Sequence, residues 1–154
     1  MAAAPRYPVD TNILLRISRQ SGSQHRLIGE ALKELVKRAC QLCYALQNIA
    51  EFCNVCTRPL EHNGYGLSIP EASQWVEYIE RTVIHLPESD RVYSIWRHLV
   101  VSQGVRGVRV HDARLAAIMQ AHGVTHILTL NQPDFLRYAD LKAVHPSQVA
   151  ELPK

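Results

Sequence analysis

The stretch from His111 to Phe135 constrains this chain more than any other. It runs His111-Asp112-Ala113-Arg114-Leu115-Ala116-Ala117-Ile118-Met119-Gln120-Ala121-His122-Gly123 and continues through Thr125-His126-Ile127-Leu128-Thr129-Leu130-Asn131-Gln132-Pro133-Asp134-Phe135. An acid opens a helix, a glycine closes it, and an apolar strand follows that ends on polar, oxygen-bearing side chains. Alone such a unit is ordinary; it gains meaning because Asp10 and Glu51 sit at equivalent strand-to-helix junctions elsewhere in the chain.

The rest of the chain repeats the alternation. Arg6-Tyr7-Pro8-Val9 is a short extended segment that delivers Asp10, and Asp10-Thr11-Asn12 starts a helical turn through Ile13-Leu14-Leu15, with at least one of the three polar residues acting as a cap. Between His25 and Arg38, the apolar residues Leu27, Ile28, Ala31, Leu32, Leu35 and Val36 recur at helical spacing. Leu42-Cys43-Tyr44-Ala45-Leu46 reads as a strand covered on both faces, and its helix begins near Asn48, carries Glu51 and stops at Arg58-Pro59. Ser68, Pro70 and Glu71 open a further helix, Thr82 to Leu86 reads as a third strand, and Ser89 is placed to cap the next helix. Pro133 to Tyr138 is a short helical turn and Leu141 to Val144 a last strand.

Strands alternating with helices, without an adjacent hairpin pair, predict an α/β fold: a three-layer α/β/α domain around a central, mostly five-stranded parallel sheet. Right-handed crossovers then put every strand-to-helix turn on one edge. Asp10, Glu51 and Asn131 are expected to converge there, with Asp112 joining from the head of its own helix.

The 154 residues, 47% of them hydrophobic, suffice for one domain with a real core. No apolar run approaches the roughly 20 residues of a membrane span. The opening Met-Ala-Ala-Ala-Pro-Arg lacks a basic segment followed by an apolar core, so a soluble, cytoplasmic protein is the expectation. A net charge of +3 permits a nucleic-acid partner without arguing for one, and the basic clusters Arg16/Arg19/Arg26 and Lys33/Lys37/Arg38 read as solvated helix faces.

The four cysteines fall as Cys40-x-x-Cys43 and Cys53-x-x-Cys56, a spacing that can build a tetrahedral zinc site. Two features oppose that reading. The intervening residues belong to a strand and a helix, and Ile49, Phe52, Cys53 and Cys56 share one apolar helical stripe. Core cysteines are expected.

Carboxylates brought within a few ångströms of one another need compensation, through a bound cation or a raised pKa. Hard oxygen donors select Mg²⁺ or Mn²⁺, ions that activate water for attack on a phosphodiester and stabilise the leaving oxygen. The chemistry thus points to a phosphodiester hydrolase and leaves the choice of RNA or DNA open. Thr11 and Asn12 are placed to orient Asp10. Arg114, just along the helix from Asp112, is a candidate phosphate contact. His111 reads as structural, since a metal-activated water makes a histidine base unnecessary.

Four segments together resemble the PIN-domain family, close to the VapC-type toxin ribonucleases: Val9-Asp10-Thr11-Asn12-Ile13-Leu14, Asn48-Ile49-Ala50-Glu51-Phe52, Val110-His111-Asp112-Ala113-Arg114-Leu115-Ala116 and Leu128-Thr129-Leu130-Asn131-Gln132-Pro133-Asp134-Phe135. The resemblance covers residues 6–146 as a single nuclease domain and leaves 1–5 and 147–154 as terminal extensions. It implies a divalent-metal-dependent endoribonuclease, the toxin of a type II toxin–antitoxin pair, with an RNA substrate, an antitoxin partner and a homodimeric state. Asp10, Glu51 and Asp112 match the family's most regular acids and would hold Mg²⁺ or Mn²⁺. Many members place an aspartate where this chain has Asn131, whereas others pair an asparagine there with an acid three residues later; the resemblance therefore implies Asp134 as the fourth acid and Asn131 as a polar helper. Two other classes remain open: a PIN-like interaction module whose catalysis has decayed, and a zinc-stabilised binding protein built on the cysteine pairs.

Overall fold

The computed structural model describes residues 3–153; residues 1, 2 and 154, which belong to the expected terminal extensions, lie outside the described residues. The chain alternates as expected: β1 (Arg6–Pro8), α1 (Thr11–Ser18), α2 (His25–Lys37), β2 (Gln41–Tyr44), α3 (Leu46–Thr57), α4 (Ile69–Thr82), β3 (Ile84–His85), α5 (Asp90–Ser102), α6 (Arg109–Ala121), β4 (His126–Leu128) and β5 (Lys142–Val144). Short 3₁₀ turns follow α3, β4 and β5 at Leu60–His62, Gln132–Phe135 and Pro146–Glu151.

All strand pairs are parallel. β2 lies between β1 and β3, with Tyr7 opposite Leu42 and Tyr44 opposite His85, while β4 pairs with β5 through Ile127 and Ala143. The sheet is therefore hydrogen-bonded as three strands plus two. A single parallel bridge, Val9 to Leu128, and the Asp10 amide on the Leu128 carbonyl at 3.0 Å join the parts. The spatial order is β3-β2-β1-β4-β5.

Side-chain alternation along the strands divides the core in two. Leu128, Tyr44 and Val144 face a cluster built with Ile13, Leu14, Ile28, Leu35 and Phe52 of α1 to α3. Ile127 and Cys43 face the other, where α6 contributes Ala113 and Leu115 to Met119 against Val92 and Leu99 of α5. The three layers predicted from the alternation are thus present.

Element boundaries differ locally from the sequence reading. The third strand is only Ile84–His85, because Thr82 is the last residue of α4 and Val83 its C-cap. It is an edge strand and both residues are exposed, so β-branched composition alone overstated its length. α3 begins at Leu46, before Asn48, because the Asn48 side chain accepts the Ala45 amide at 2.8 Å and closes the helix start from inside. Ser68 does cap α4, exchanging hydrogen bonds with Glu71. Ser89 occupies the N-cap position of α5 without a side-chain hydrogen bond. Gly123 ends α6 at φ +64, a left-handed conformation that a side chain would strain.

The 3₁₀ segment Pro146–Glu151 packs on α2: Val149 is buried, and Arg38 donates to the Leu152 carbonyl at 2.7 Å. Cys43 and Cys56 are buried, Cys40 and Cys53 half-buried, and all are free thiols. Burial raises their pKa values, that of Cys56 to about 11, which disfavours the thiolate a zinc ion requires. Among the described residues no helix is long and apolar enough to cross a membrane.

Candidate active site

Each acid reaches the carboxyl edge of the sheet by its own local route. The Val9 amide is tied to the Cys43 carbonyl at 2.8 Å and the Asp10 amide to Leu128, so Asp10 leaves β1 between two strand neighbours. Its backbone carbonyl opens α1, accepting from Ile13 and Leu14. Its carboxylate accepts from the Thr11 amide at 2.8 Å, the Thr129 hydroxyl at 2.7 Å and the Asn12 amide nitrogen at 3.3 Å. Asn12 also takes the Leu130 amide at 3.2 Å, which ties the head of α1 to the end of β4.

Glu51 stands in the second turn of α3. The Thr11 hydroxyl donates to one carboxylate oxygen at 2.7 Å and the Gln47 amide nitrogen to the other at 2.9 Å. Fully buried Asn48 donates in turn to the Thr11 hydroxyl at 3.2 Å. Gln47 also donates to the His111 carbonyl at 2.8 Å, a direct link from α3 to the head of α6.

Asp112 lies in the first turn of α6, half-buried, and among the described residues no side-chain hydrogen bond reaches it. Asp134 sits in the 3₁₀ turn after β4, where Asn131 donates to it at 2.5 Å and Arg109 pairs with it at 3.0 Å. Glu51, Arg109, His111, Asp112 and Asp134 line one open cleft of about 360 Å³.

The electrostatics show that the acids share one environment. Burial pushes the Asp112 carboxyl up to about 6, with the charges of Asp134, Asp10 and Glu51 adding and Arg109 opposing. Burial also raises Asp10, the hydrogen bonds from Thr129 and Thr11 hold it back, and Glu51 and Asp134 push it up further. Asp10, Glu51, Asp112 and Asp134 thus act on one another electrostatically, and Thr11 and Asn12 donate to Asp10 and Asn131 to Asp134.

Arg114 is placed elsewhere. Its guanidinium pairs with Glu88 at 2.6 Å on the side of α6 that faces the β3–α5 loop, and Arg109 is the cation among the acids. Two residues along a helix is a rotation of about 200°, so Asp112 and Arg114 cannot share a face. Thr129, Gln47 and Asn48 were also missed as orienting residues. Asn48 and Thr129 lie inside the motif segments, but their partners are distant in sequence and no local pattern announces them.

The donor set fits a hard divalent cation, for it consists of carboxylate, hydroxyl and amide oxygens. Gln47 adds an independent sign: it is buried beside Glu51 and its Oε1 has no hydrogen-bond partner among the described residues. As arranged, no three His, Cys, Asp or Glu side chains among the described residues lie close enough to grip one ion. Asp10, Glu51 and Asp134 are each turned to their own donors, while Asp112 has none among the described residues. The same statement covers the cysteine pairs, which the fold does not gather.

No family profile matches this chain, and no curated protein sequence matches it. Solved structures do. The DNA-bound VapBC complex of Salmonella typhimurium superposes with a TM-score of 0.68 at 15% identity, over 92% of this chain and 98% of that one. A toxin–antitoxin complex of Klebsiella pneumoniae gives 0.61 at 22%, over 91% and 97%. VapC20 of Mycobacterium tuberculosis, described as a sarcin–ricin loop cleaving toxin, gives 0.56 at 14%, over 79% and 86%. At such identities the likeness establishes the fold.

Proposed function

We propose, from the VapC-type PIN-domain fold that this chain has, that it is a divalent-metal-dependent endoribonuclease and the toxin half of a toxin–antitoxin pair. The observation that carries the reading is the shared setting of the acids: Glu51, Asp112 and Asp134 line one cleft, and Asp112 is raised by burial first and then by the charges of Asp134, Asp10 and Glu51. A fold that keeps repelling carboxylates together is arranged for a cation.

Asp10, Glu51 and Asp112 would hold Mg²⁺ or Mn²⁺, with Asp134 available on release from Arg109. Bound there, the ion would lower the pKa of a water molecule and neutralise charge on the scissile phosphate. The chain's own residues do the rest. Thr11, Asn12 and Thr129 fix the Asp10 carboxylate, and Thr11 and Gln47 fix that of Glu51. Asp112, half-buried and without such donors among the described residues, is the acid left free to turn onto the ion. Arg109, half-exposed at the mouth, is placed to meet a phosphate oxygen. Asn131 keeps Asp134 turned toward the cleft.

The single domain at 6–146, a homodimer, an antitoxin whose peptide covers the cleft, and a cytoplasmic location complete the proposal. The antitoxin draws support from the toxin–antitoxin complexes among the structural neighbours, and the rest is carried by the sequence alone. The test is cleavage of a mixed RNA substrate by purified protein with Mg²⁺ or Mn²⁺, with EDTA and Asp112→Asn as controls. Activity lost in both controls supports the proposal. Activity that survives Asp112→Asn assigns the chemistry elsewhere, and none with either ion favours a module whose catalysis has decayed.

A further inference from the structure

A second cleft, of about 520 Å³, opens at the same edge of the sheet and contains none of the four acids; Glu88, Ser89, Asp90, Tyr93, Trp96 and Arg114 line it. Topology places it beside the acids. Glu88 follows β3, which pairs with β2, and β2 is the strand that delivers the helix of Glu51. Neighbouring strands lie about 4.8 Å apart, so the loop at Glu88 is one strand's width from the start of α3.

A chain of hydrogen bonds anchors the second cleft to the first. The Trp96 indole N–H donates to the Val110 carbonyl at 2.9 Å, and the next carbonyl, that of His111, accepts from the Gln47 that holds Glu51. The turn that carries Asp112 is therefore gripped from both sites.

The lining chemistry selects a ligand class. Tyr93 is 67% exposed, so most of its ring is open to a ligand. It lies 6.4 Å from Trp96, their planes inclined at 35°. Across the cleft Arg114 is held by Glu88, its Nε at 2.8 Å and its terminal nitrogen at 2.6 Å, so the planar guanidinium is pre-oriented. An exposed ring and a fixed guanidinium plane are the surfaces on which unpaired nucleobases stack. The carboxylates of Glu88 and Asp90 suit amino groups of a base and would repel a phosphate. Arg91, Arg97, Arg106 and Arg109, none of which lines this cleft, are all exposed and available to phosphates. Arg97 stands one helical turn from Tyr93.

We infer that this cleft binds an unpaired nucleobase of a single-stranded RNA segment next to the bond presented to the acids, with Tyr93 and Arg114 as stacking surfaces. The inference rests on the ribonuclease reading for the identity of its ligand. It adds a base subsite to a chemistry that by itself reads only phosphates.

The test uses Trp96 itself. The chain has two tryptophans, so Trp75→Phe leaves Trp96 as the only indole fluorophore. In EDTA, where cleavage is off, a mixed-sequence single-stranded RNA of about a dozen nucleotides is expected to quench Trp96 saturably. Tyr93→Ala or Arg114→Ala should weaken that binding by about fivefold or more, Tyr93→Phe should restore it, and a duplex of the same sequence should compete poorly. Binding unchanged in both alanine variants overturns the inference. So does a Tyr93→Ala protein that changes oligomeric state by gel filtration while RNA affinity stays constant, since the ring would then belong to a protein interface. The two readings fail separately: Tyr93-dependent quenching without Mg²⁺-dependent cleavage removes the nuclease, and cleavage without such quenching removes the base subsite.

Discussion

The two halves of the acid site are built on opposite terms. On the side of α1 and α3, Asp10 and Glu51 sit in a closed network of Thr11, Asn12, Gln47, Asn48 and Thr129, where each carboxylate meets at least two side-chain or backbone donors. On the side of α6 and the turn after β4, Asp112 meets none among the described residues, and Asp134 shares its charge with exposed Arg109. The first half is ordered before any ligand arrives, whereas in the second Asp134 is held by Asn131 and Arg109 and Asp112 alone is left unsatisfied. Preorganised groups orient a ligand, and unsatisfied ones supply affinity for it.

The strongest way to break the comparison is through catalysis. If both halves hold the cation, Asp10→Asn and Asp112→Asn should each reduce RNA cleavage by about 10²-fold or more, in single-turnover assays at saturating Mn²⁺. A variant that keeps near-native cleavage would remove its half from the site.

Next comes the network. Asn48→Leu and Thr129→Val should destabilise the fold by about 1–3 kcal/mol each in urea unfolding, because their buried partners are left unpaired. They should also reduce activity about 10- to 100-fold by loosening Glu51 and Asp10. Arg109→Ala should cost no more than about 1 kcal/mol, the ordinary value of a half-exposed ion pair. Equal losses on the two sides would erase the distinction.

The pH dependence sharpens it. Burial and the neighbouring acids push the Asp112 carboxyl up to about 6, above the usual 3.8 of an aspartate, so the native state holds this proton more tightly than the unfolded chain. Stability contributed by the neutral form is present below about pH 4, is lost as pH rises to about 6, and stays lost above. Asp112→Asn should therefore raise Tm at pH 7.5, by about 2–4 °C for a chain of this size once solvent screening is allowed for, and should leave Tm unchanged near pH 4. Millimolar Mn²⁺ should raise the native Tm at pH 7.5 and do so less in Asp112→Asn. A variant destabilised at neutral pH would show that Asp112 is a satisfied group after all.

The comparison also explains what could be read in advance. The loosely held acids and the tightly held ones were equally visible, because each stands at a strand end or a helix start whose position follows from local pattern. The network was not, since the Thr129 hydroxyl and its Asp10 acceptor are 119 positions apart and Thr11 and Glu51 are 40 apart. Arg114 illustrates the same limit. Its closeness to Asp112 in sequence suggested a shared site, whereas the helix turns it onto Glu88, and Arg109 reaches the acids instead. Only the position of the β3–α5 loop shows which arginine faces which carboxylate.

By itself the sequence determined the alternation of strands and helices, the three layers, the burial of cysteines on an apolar stripe, and the edge on which Asp10, Glu51, Asp112 and Asp134 meet. All of these follow from periodicity and from the handedness of crossovers, which local patterns encode. Tertiary structure alone decided the spatial strand order, the brevity of β3, the donors that hold Asp10 and Glu51, the isolation of Asp112 and the existence of a second cleft. Each depends on side chains from remote segments arriving at one place, and their relative rotation is set by packing of the whole core, which no local pattern carries.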